Sequence, residues 1–299
     1  MKESRPSPGG LRAADVAAAA QLACLLEVSA PKPGNVSPGR HFADARYEEF
    51  LASAVAIGEP LAGAGTRSVG ATVRLAVEAT SRWTRSNTNI GIVLLLAPLA
   101  RAALLEKGVG RLNPFFRGAV RRVLAATTIE DARDVYAAIR CASPGGLGRV
   151  ESQDVADEPT MPLLDVMRLA ADRDGIAREY ATAFDVTFDR AAPALVRARH
   201  DGLSWDDAIV ETFLTLLAAS PDTHVSRRGG ADLAIEVSRR ARAVVEKGGT
   251  RSEAGRRAIG ELDLALRDDR NLANPGTTAD LTAAAVFLVL LGGGWSPSA

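Results

Sequence analysis

Across this chain of 299 residues the apolar–polar alternation of a half-buried strand is nearly absent. Nor do β-branched residues gather into the short runs that mark a fully buried one. What recurs is the helical step. Over 171–200, Ile176, Tyr180, Phe184, Phe188, Ala191 and Leu195 follow one another at steps of four and three, which lays them along one face of a helix. Residues 12–27 are rich in Ala and Leu and stop before Pro31, and residues 130–141 stop at "SPGG". Ser204 is a fitting N-cap for a helix over 204–219 that ends at Ser220-Pro221. Residues 231–247 end in "EKGG", with a lysine in the last turn and glycine just beyond. The expectation is an all-α protein: a single multi-helix bundle of nine to twelve helices, with a polar cleft formed by helix-connecting loops. Residues 1–12 read as a disordered tail and 13–295 as one domain. The polar, proline-bearing stretch 149–162 is either an internal boundary or a long loop.

Two runs, 90–105 and 281–294, are apolar enough to raise the question of a membrane. The first carries Pro98 and Arg101, and the second is apolar for only about 11 residues where a span needs roughly 20. Both read as core helices, so no membrane is expected. With 36 basic and 36 acidic residues the formal net charge is zero, which argues against a general electrostatic binder of nucleic acid. Cys24 and Cys141 belong to no CxxC or Cys/His cluster, so neither a disulfide framework nor a zinc site is expected, and a cytoplasmic location fits. The N-terminal "MKESRPSPGG" lacks the apolar stretch of a signal peptide.

Four polar loops break the helices: "PKPGNVSPGRHF" (31–42), "TRSNTNIG" (84–91), "SPDTHVSRRGG" (220–230) and "NPGTTADL" (274–281). Each offers what phosphate and ribose recognition needs. Glycines admit close approach of a backbone. Ser, Thr and Asn at helix starts leave N–H groups pointing outward as an anion site. Arg227 and Arg228 can pair with phosphate, and Asp222, Asp280 and Asp44 are candidate Mg²⁺ ligands. For any single loop, ordinary capping is the better explanation, so the case rests on all four together. His41 and His224 have equally plain explanations as packing and capping residues, and His200 needs only a helix-dipole contact. Glu27, one turn before the first loop, either caps or points into a site.

Taken in order, these segments resemble the triphosphoribosyl-dephospho-CoA synthase (ATP:dephospho-CoA triphosphoribosyl transferase) family. The resemblance rests on "EVSAPKPGNV" (Glu27–Val36), "NTN" (Asn87–Asn89), "DTHVSRRGG" (Asp222–Gly230) and "NPGTTADL" (Asn274–Leu281), and it covers about residues 13–292. There are departures. Asn89 and Ile90 stand where the family carries His and Lys, "PGTTAD" replaces a PGG-x-AD segment, and "GNVS" replaces GLVD. This pattern looks like a divergent branch associated with methanopterin-type C1 metabolism.

The resemblance implies transfer of a triphosphoribosyl group from ATP, its substrate, to a hydroxyl of a small-molecule acceptor such as dephospho-CoA, with adenine leaving and Mg²⁺ as cofactor. Such a reaction asks for a carboxylate base, a proton donor to the departing base and charge neutralisation on the triphosphate. On this reading Lys32, Arg228 and Mg²⁺ hold the triphosphate, with Gly34, Gly229, Gly230 and His41 beside it. Asp222 and Asp280 are metal ligands or general bases, and Glu27 is a second candidate base. Asn35, Asn87, Thr88 and Asn89 meet ribose hydroxyls or the adenine edge. Two alternatives stay open: the same fold acting on a pterin or furan C1-carrier intermediate, and a non-catalytic nucleotide-binding helical protein. A homodimer also stays open.

Overall fold

The computed structural model describes residues 10–106 and 114–295. Of the expected tail, residues 1–9 lie outside the described residues. Among those described, all regular structure is helical and there is no sheet; a single isolated bridge joins Ser37 and Arg40.

The chain begins with α1 (Ala13–Ser29), α2 (Tyr47–Ala56), α3 (Gly58–Ala62), α4 (Val69–Ser81), α5 (Ile90–Leu105), α6 (Pro114–Ala125) and α7 (Ile129–Ala142). It continues through α8 (Leu163–Ala170), α9 (Gly175–Thr182), α10 (Ala192–His200), α11 (Trp205–Ala219), α12 (Thr223–Gly229) and α13 (Ala231–Glu246), and closes with α14 (Glu253–Ala265) and α15 (Gly276–Leu291). That is more helices than nine to twelve, because short ones such as α3 and α8 carry too few turns to show a period in the sequence.

Two helices form the centre. In α5 and α15 nearly every residue is buried, which is what a helix apolar on all sides requires. They pack on each other; α1 lies against both, and α10 and α11 against α15. One core cluster runs from Val16 to Leu291. No helix among the described residues is long and apolar enough to cross a membrane.

The proline inside α5 is accommodated by a partner from elsewhere. Pro98 has no N–H, so the carbonyl of Leu94, one turn earlier, loses its helical donor. The hydroxyl of Tyr180 donates to that carbonyl at 2.7 Å.

The expected long helix over 171–200 is broken. α9 ends at Ala183, which with Phe184 adopts a left-handed conformation (φ 53° and 64°), and a π-helical turn over Thr187–Ala191 leads into α10. The cause is Glu179. Its buried carboxylate accepts the N–H of Val186 and of Thr187, each at 2.9 Å, and caps the new start as an N-cap side chain would. The apolar step survives the break, since Ile176, Tyr180, Phe184, Ala191 and Leu195 are all buried.

Candidate active site

A cavity of about 1200 Å³ opens where the polar loops meet. Its wall takes Glu27 from the last turn of α1, Asn35 from the loop that follows, and Asn87, Thr88, Asn89 and Ile90 from the start of α5. Asp174 comes from the start of α9, His224, Arg227 and Arg228 from α12, and Gly276, Thr277 and Asp280 from the first turns of α15. The N-terminal ends of α5, α9 and α15 therefore converge on one space, where helix dipoles favour negative charge.

The first loop is rigid. Pro31 and Pro33 flank Lys32, and a turn runs from the Lys32 carbonyl to the Asn35 N–H at 3.2 Å. Gly34 takes a left-handed φ of 71°, and a Cβ there would lie 2.9 Å from that of Leu266. Its N–H donates to Asp263 at 2.9 Å, while the Asn274 amide donates to the Gly34 carbonyl at 2.6 Å and to Asn35 Oδ1 at 3.2 Å. Residues 240 positions apart are thus sewn into one wall.

Lys32 is put to a different use from the expected one. Its ammonium is 1% exposed, forms no part of the cavity wall, and sits 2.9 Å from Glu27 Oε1. It also donates to the carbonyls of Glu27 and Ala30. Its charge offsets that of Glu27, and removing one member of such a buried pair leaves the other uncompensated.

Asp222 departs from expectation in the same way. It is 2% exposed and both of its oxygens are occupied. Oδ1 caps α12 through the Val225 N–H at 3.0 Å, and Oδ2 accepts the N–H and the hydroxyl of Thr278, each at 2.7 Å. Three donors thus hold this carboxylate, and Asp222 lies outside the cavity wall. Among the described residues no group of three or more His, Cys, Asp and Glu side chains is placed to hold a metal ion.

Asp280 differs from Asp222 in both respects: it lines the cavity and accepts no hydrogen bond from any described residue. The close approach of α5 is possible because residue 91 is glycine; a Cβ there would lie 2.0 Å from Asp280 Oδ2. Burial, followed by the charges of Glu27, Asp222 and Asp174, pushes the Asp280 carboxyl well above the usual carboxylate range, against a weaker pull from Arg227. It is a candidate proton donor.

His224, on α12, lines the same cavity. Nδ1 is 3.0 Å from the Asn274 carbonyl, an atom that only accepts, so Nδ1 carries the proton. Burial lowers the imidazole pKa, as do Arg227 and Arg228, while the Asn274 carbonyl and Asp222 oppose the shift. The ring is then neutral near pH 7 with Nε2 bare, the form a general base needs.

The remaining candidates divide. Asn87, exposed, accepts the Ile90 N–H at 3.2 Å and caps α5. Thr88 shares a hydrogen bond with Ser53, and the Asn89 amide donates to Thr80 at 3.1 Å, so both are partly turned to structural work. Arg228 lines the cavity while donating to the carbonyls of Asn271 and Arg270. Asp44, also in the wall, accepts from Asn271 at 3.3 Å. His41, Gly229 and Gly230 are outside the wall: His41 accepts the Tyr47 N–H, Gly229 packs on Leu233, and Gly230 (φ 93°) is the turn before α13. The sequence reading missed three wall arginines, Arg85, Arg140 and Arg173, which have no ion pair among the described residues. Arg85 lay inside the "TRSNTNIG" segment and was within reach; Arg140, in the last turn of α7, and Arg173, in the turn after α8, belong to no motif.

The model of the CitG family, ATP:dephospho-CoA triphosphoribosyl transferase, matches residues 13–298. The chain belongs to this family. Among curated relatives, it is 30% identical over 208 residues to a "Probable 2-(5''-triphosphoribosyl)-3'-dephosphocoenzyme-A synthase" of Stutzerimonas stutzeri, covering 68% of this chain and 60% of that protein. It is 38% identical over 131 residues to a protein of the same name from Pseudomonas paraeruginosa, covering 42% and 43%. The matched stretches thus span less than two thirds of these relatives' own length. A crystal structure described as a "putative triphosphoribosyl-dephospho-coA synthase" from Archaeoglobus fulgidus superposes with a TM-score of 0.65 at 29% identity, over 84% of this chain and all of that one. In this member of the CitG family, the segments that carry the resemblance are the ones that surround the cavity.

Proposed function

We propose that this chain transfers the triphosphoribosyl group of ATP to a hydroxyl of a dephospho-CoA-like acceptor and releases adenine. The observation that carries the reading is the pairing, in one cavity, of a carboxyl held toward its protonated form (Asp280) with an imidazole whose Nε2 is bare (His224). Two groups whose environments drive their proton affinities apart are the mark of an acid and a base.

The acceptor hydroxyl gives its proton to His224 Nε2 as its oxygen bonds to C1′ of the ribose. The C1′–N9 bond breaks, and its electron pair leaves with adenine, which takes the proton of Asp280. Glu27, paired with Lys32, faces the positive charge that develops on the ribose. Arg227 and Arg228, with Arg85 across the cavity, meet the triphosphate, assisted by the N-terminal ends of α5 and α15. Mg²⁺ belongs to this reading as part of the MgATP substrate, since such ions are held chiefly by phosphates with one or two carboxylates. Dependence on ATP and the unpaired Cys24 and Cys141 both suit a cytoplasmic enzyme.

One observation favours a different acceptor, such as a pterin or furan C1-carrier intermediate. Ile90 puts an aliphatic side chain in the cavity wall where the family motif has lysine, and the Asn89 amide is spent on Thr80.

Incubation with ATP, Mg²⁺ and 3′-dephospho-CoA, followed by chromatography of the bases and nucleotides, tests the reading. Free adenine in step with consumed ATP is the expected result. ADP, AMP or pyrophosphate in its place overturns base displacement. Adenine release that appears only with another hydroxyl acceptor selects the second reading.

A further inference from the structure

Two threonines in the first turn of α15 are held by two consecutive residues at the start of α12. Thr278 donates to Asp222, and Thr277 is held by Thr223. The Thr223 hydroxyl accepts the Gly175 N–H at 3.0 Å and donates its one proton to the Thr277 hydroxyl at 3.0 Å. Thr277 therefore receives a proton and keeps its own, and no described residue accepts that one. Other helical threonines of this chain turn their hydroxyl back on the carbonyl four residues earlier, as Thr72, Thr212, Thr215 and Thr282 do. Thr277 makes no such bond. It is 6% exposed, and it lines the cavity.

The side chain is also fixed in direction. Its methyl lies against Gly175, where a Cβ would stand 2.8 Å from it. With the methyl on glycine and the oxygen on Thr223, a β-branched side chain has one rotamer left. A hydroxyl that accepts from one donor chain is the better donor for it. Residue 277 is moreover the place where "PGTTAD" departs from PGG-x-AD, with threonine in place of the second glycine. Asp280 follows three residues later, so the two side chains share one face of α15.

We propose that Thr277 touches the substrate and donates its hydroxyl proton to the 2′-oxygen of the ribose that is transferred. The inference rests on the adenine-displacing reading. In that reading Asp280 protonates the base leaving C1′, and the 2′-hydroxyl is on the next carbon, so a donor one helical turn from Asp280 falls beside it. A neutral hydroxyl also suits a place where Asp280 already feels the charges of Glu27, Asp222 and Asp174. In glycosyl transfer, hydrogen bonds to this hydroxyl strengthen as the sugar carbon becomes positive. Thr277 is then a specificity residue for the ribose, added to a segment that otherwise carries glycine.

Adenine release by the full chain from ATP and from 2′-deoxy-ATP tests this, with 3′-dephospho-CoA or the hydroxyl acceptor that replaces it. Thr277→Val keeps the methyl on Gly175 and removes the hydroxyl. It lowers kcat/KM for ATP about tenfold but for 2′-deoxy-ATP less than about twofold. Thr277→Ser restores ATP to within about threefold of the parent. The easier loss of the base from a deoxy sugar cancels, because each variant is set against the parent on the same substrate. Circular dichroism confirms the fold of both variants. Equal losses on the two nucleotides, or no loss on ATP, overturn the inference, while adenine release by the parent leaves the transferase reading standing. No adenine from ATP in the parent with any acceptor removes both.

Discussion

Asp222 and Thr278, 56 residues apart, are joined by two hydrogen bonds of 2.7 Å to a single carboxylate oxygen. Because the other oxygen caps α12, this one side chain fixes the start of α12, which carries His224, against the first turns of α15, which carry Asp280. Asp222→Asn keeps one acceptor but turns an NH₂ toward the donors of Thr278. Leaving buried donors unmatched costs about 2–3 kcal/mol. Urea unfolding shows that loss, and turnover falls with it. A variant with parental stability and lost turnover would return Asp222 to the chemistry.

Asp280→Asn separates stability from catalysis in the other direction. The parent carboxyl has a folded pKa raised by burial and by three neighbouring carboxylates. A group with a raised folded pKa contributes stability that is complete below its unfolded value and is lost as pH rises through its folded value. The parent therefore weakens from the ordinary aspartate range upward, and the amide removes that loss. Turnover of Asp280→Asn falls about 10²–10⁴-fold as the proton donor disappears. Unfolding midpoints across pH, set beside adenine release, check both halves. Parental turnover removes Asp280 as the acid.

His224 shapes the acid side of the activity profile. Its pKa lies below the ordinary histidine value, so the base form persists to mildly acidic pH and kcat/KM falls only below about pH 6.5. His224→Gln loses about 10²–10⁴-fold and flattens that limb while the alkaline limb from Asp280 remains. An acid limb unchanged in the glutamine variant assigns the base elsewhere, with Glu27 next in the wall.

The ends of several helices were legible because the signals are local. Trp205–Ala219 begins beside Ser204, as that capping residue announced. The break after α9 was not legible. It has no glycine or proline at Ala183 and Phe184, and its cause is a carboxylate reaching across a turn from Glu179. The site shows the same division. Loops rich in Gly, Pro and Asn pointed to the cavity. But a charged residue in such a loop looks alike in sequence whether it faces a ligand or a neighbour, and the partners decide. Thr278 decided for Asp222 and Glu27 for Lys32. Arg140 and Arg173 line the wall although no local motif marks them.

Glu179 gives the fold a pH dependence of its own, away from the cavity. Burial pushes its carboxyl up to about 7, against the hydrogen bonds from Thr187 and Val186. An unfolded glutamate titrates near 4.3. Between those values the folded chain holds more protons than the unfolded one, so stability falls as pH rises from about 4.3 to 7, by roughly 3 kcal/mol in all. Glu179→Gln cannot ionise, and its contribution to the slope vanishes. At low pH the protonated parent and the amide each turn one donor toward residue 186 or 187 and differ little, and the variant gains on the parent toward pH 8. Urea midpoints at pH 5, 6, 7 and 8 for both proteins measure the gap directly. Parallel curves would mean that the carboxylate is ionised throughout, held by its donors strongly enough to outweigh the loss of water.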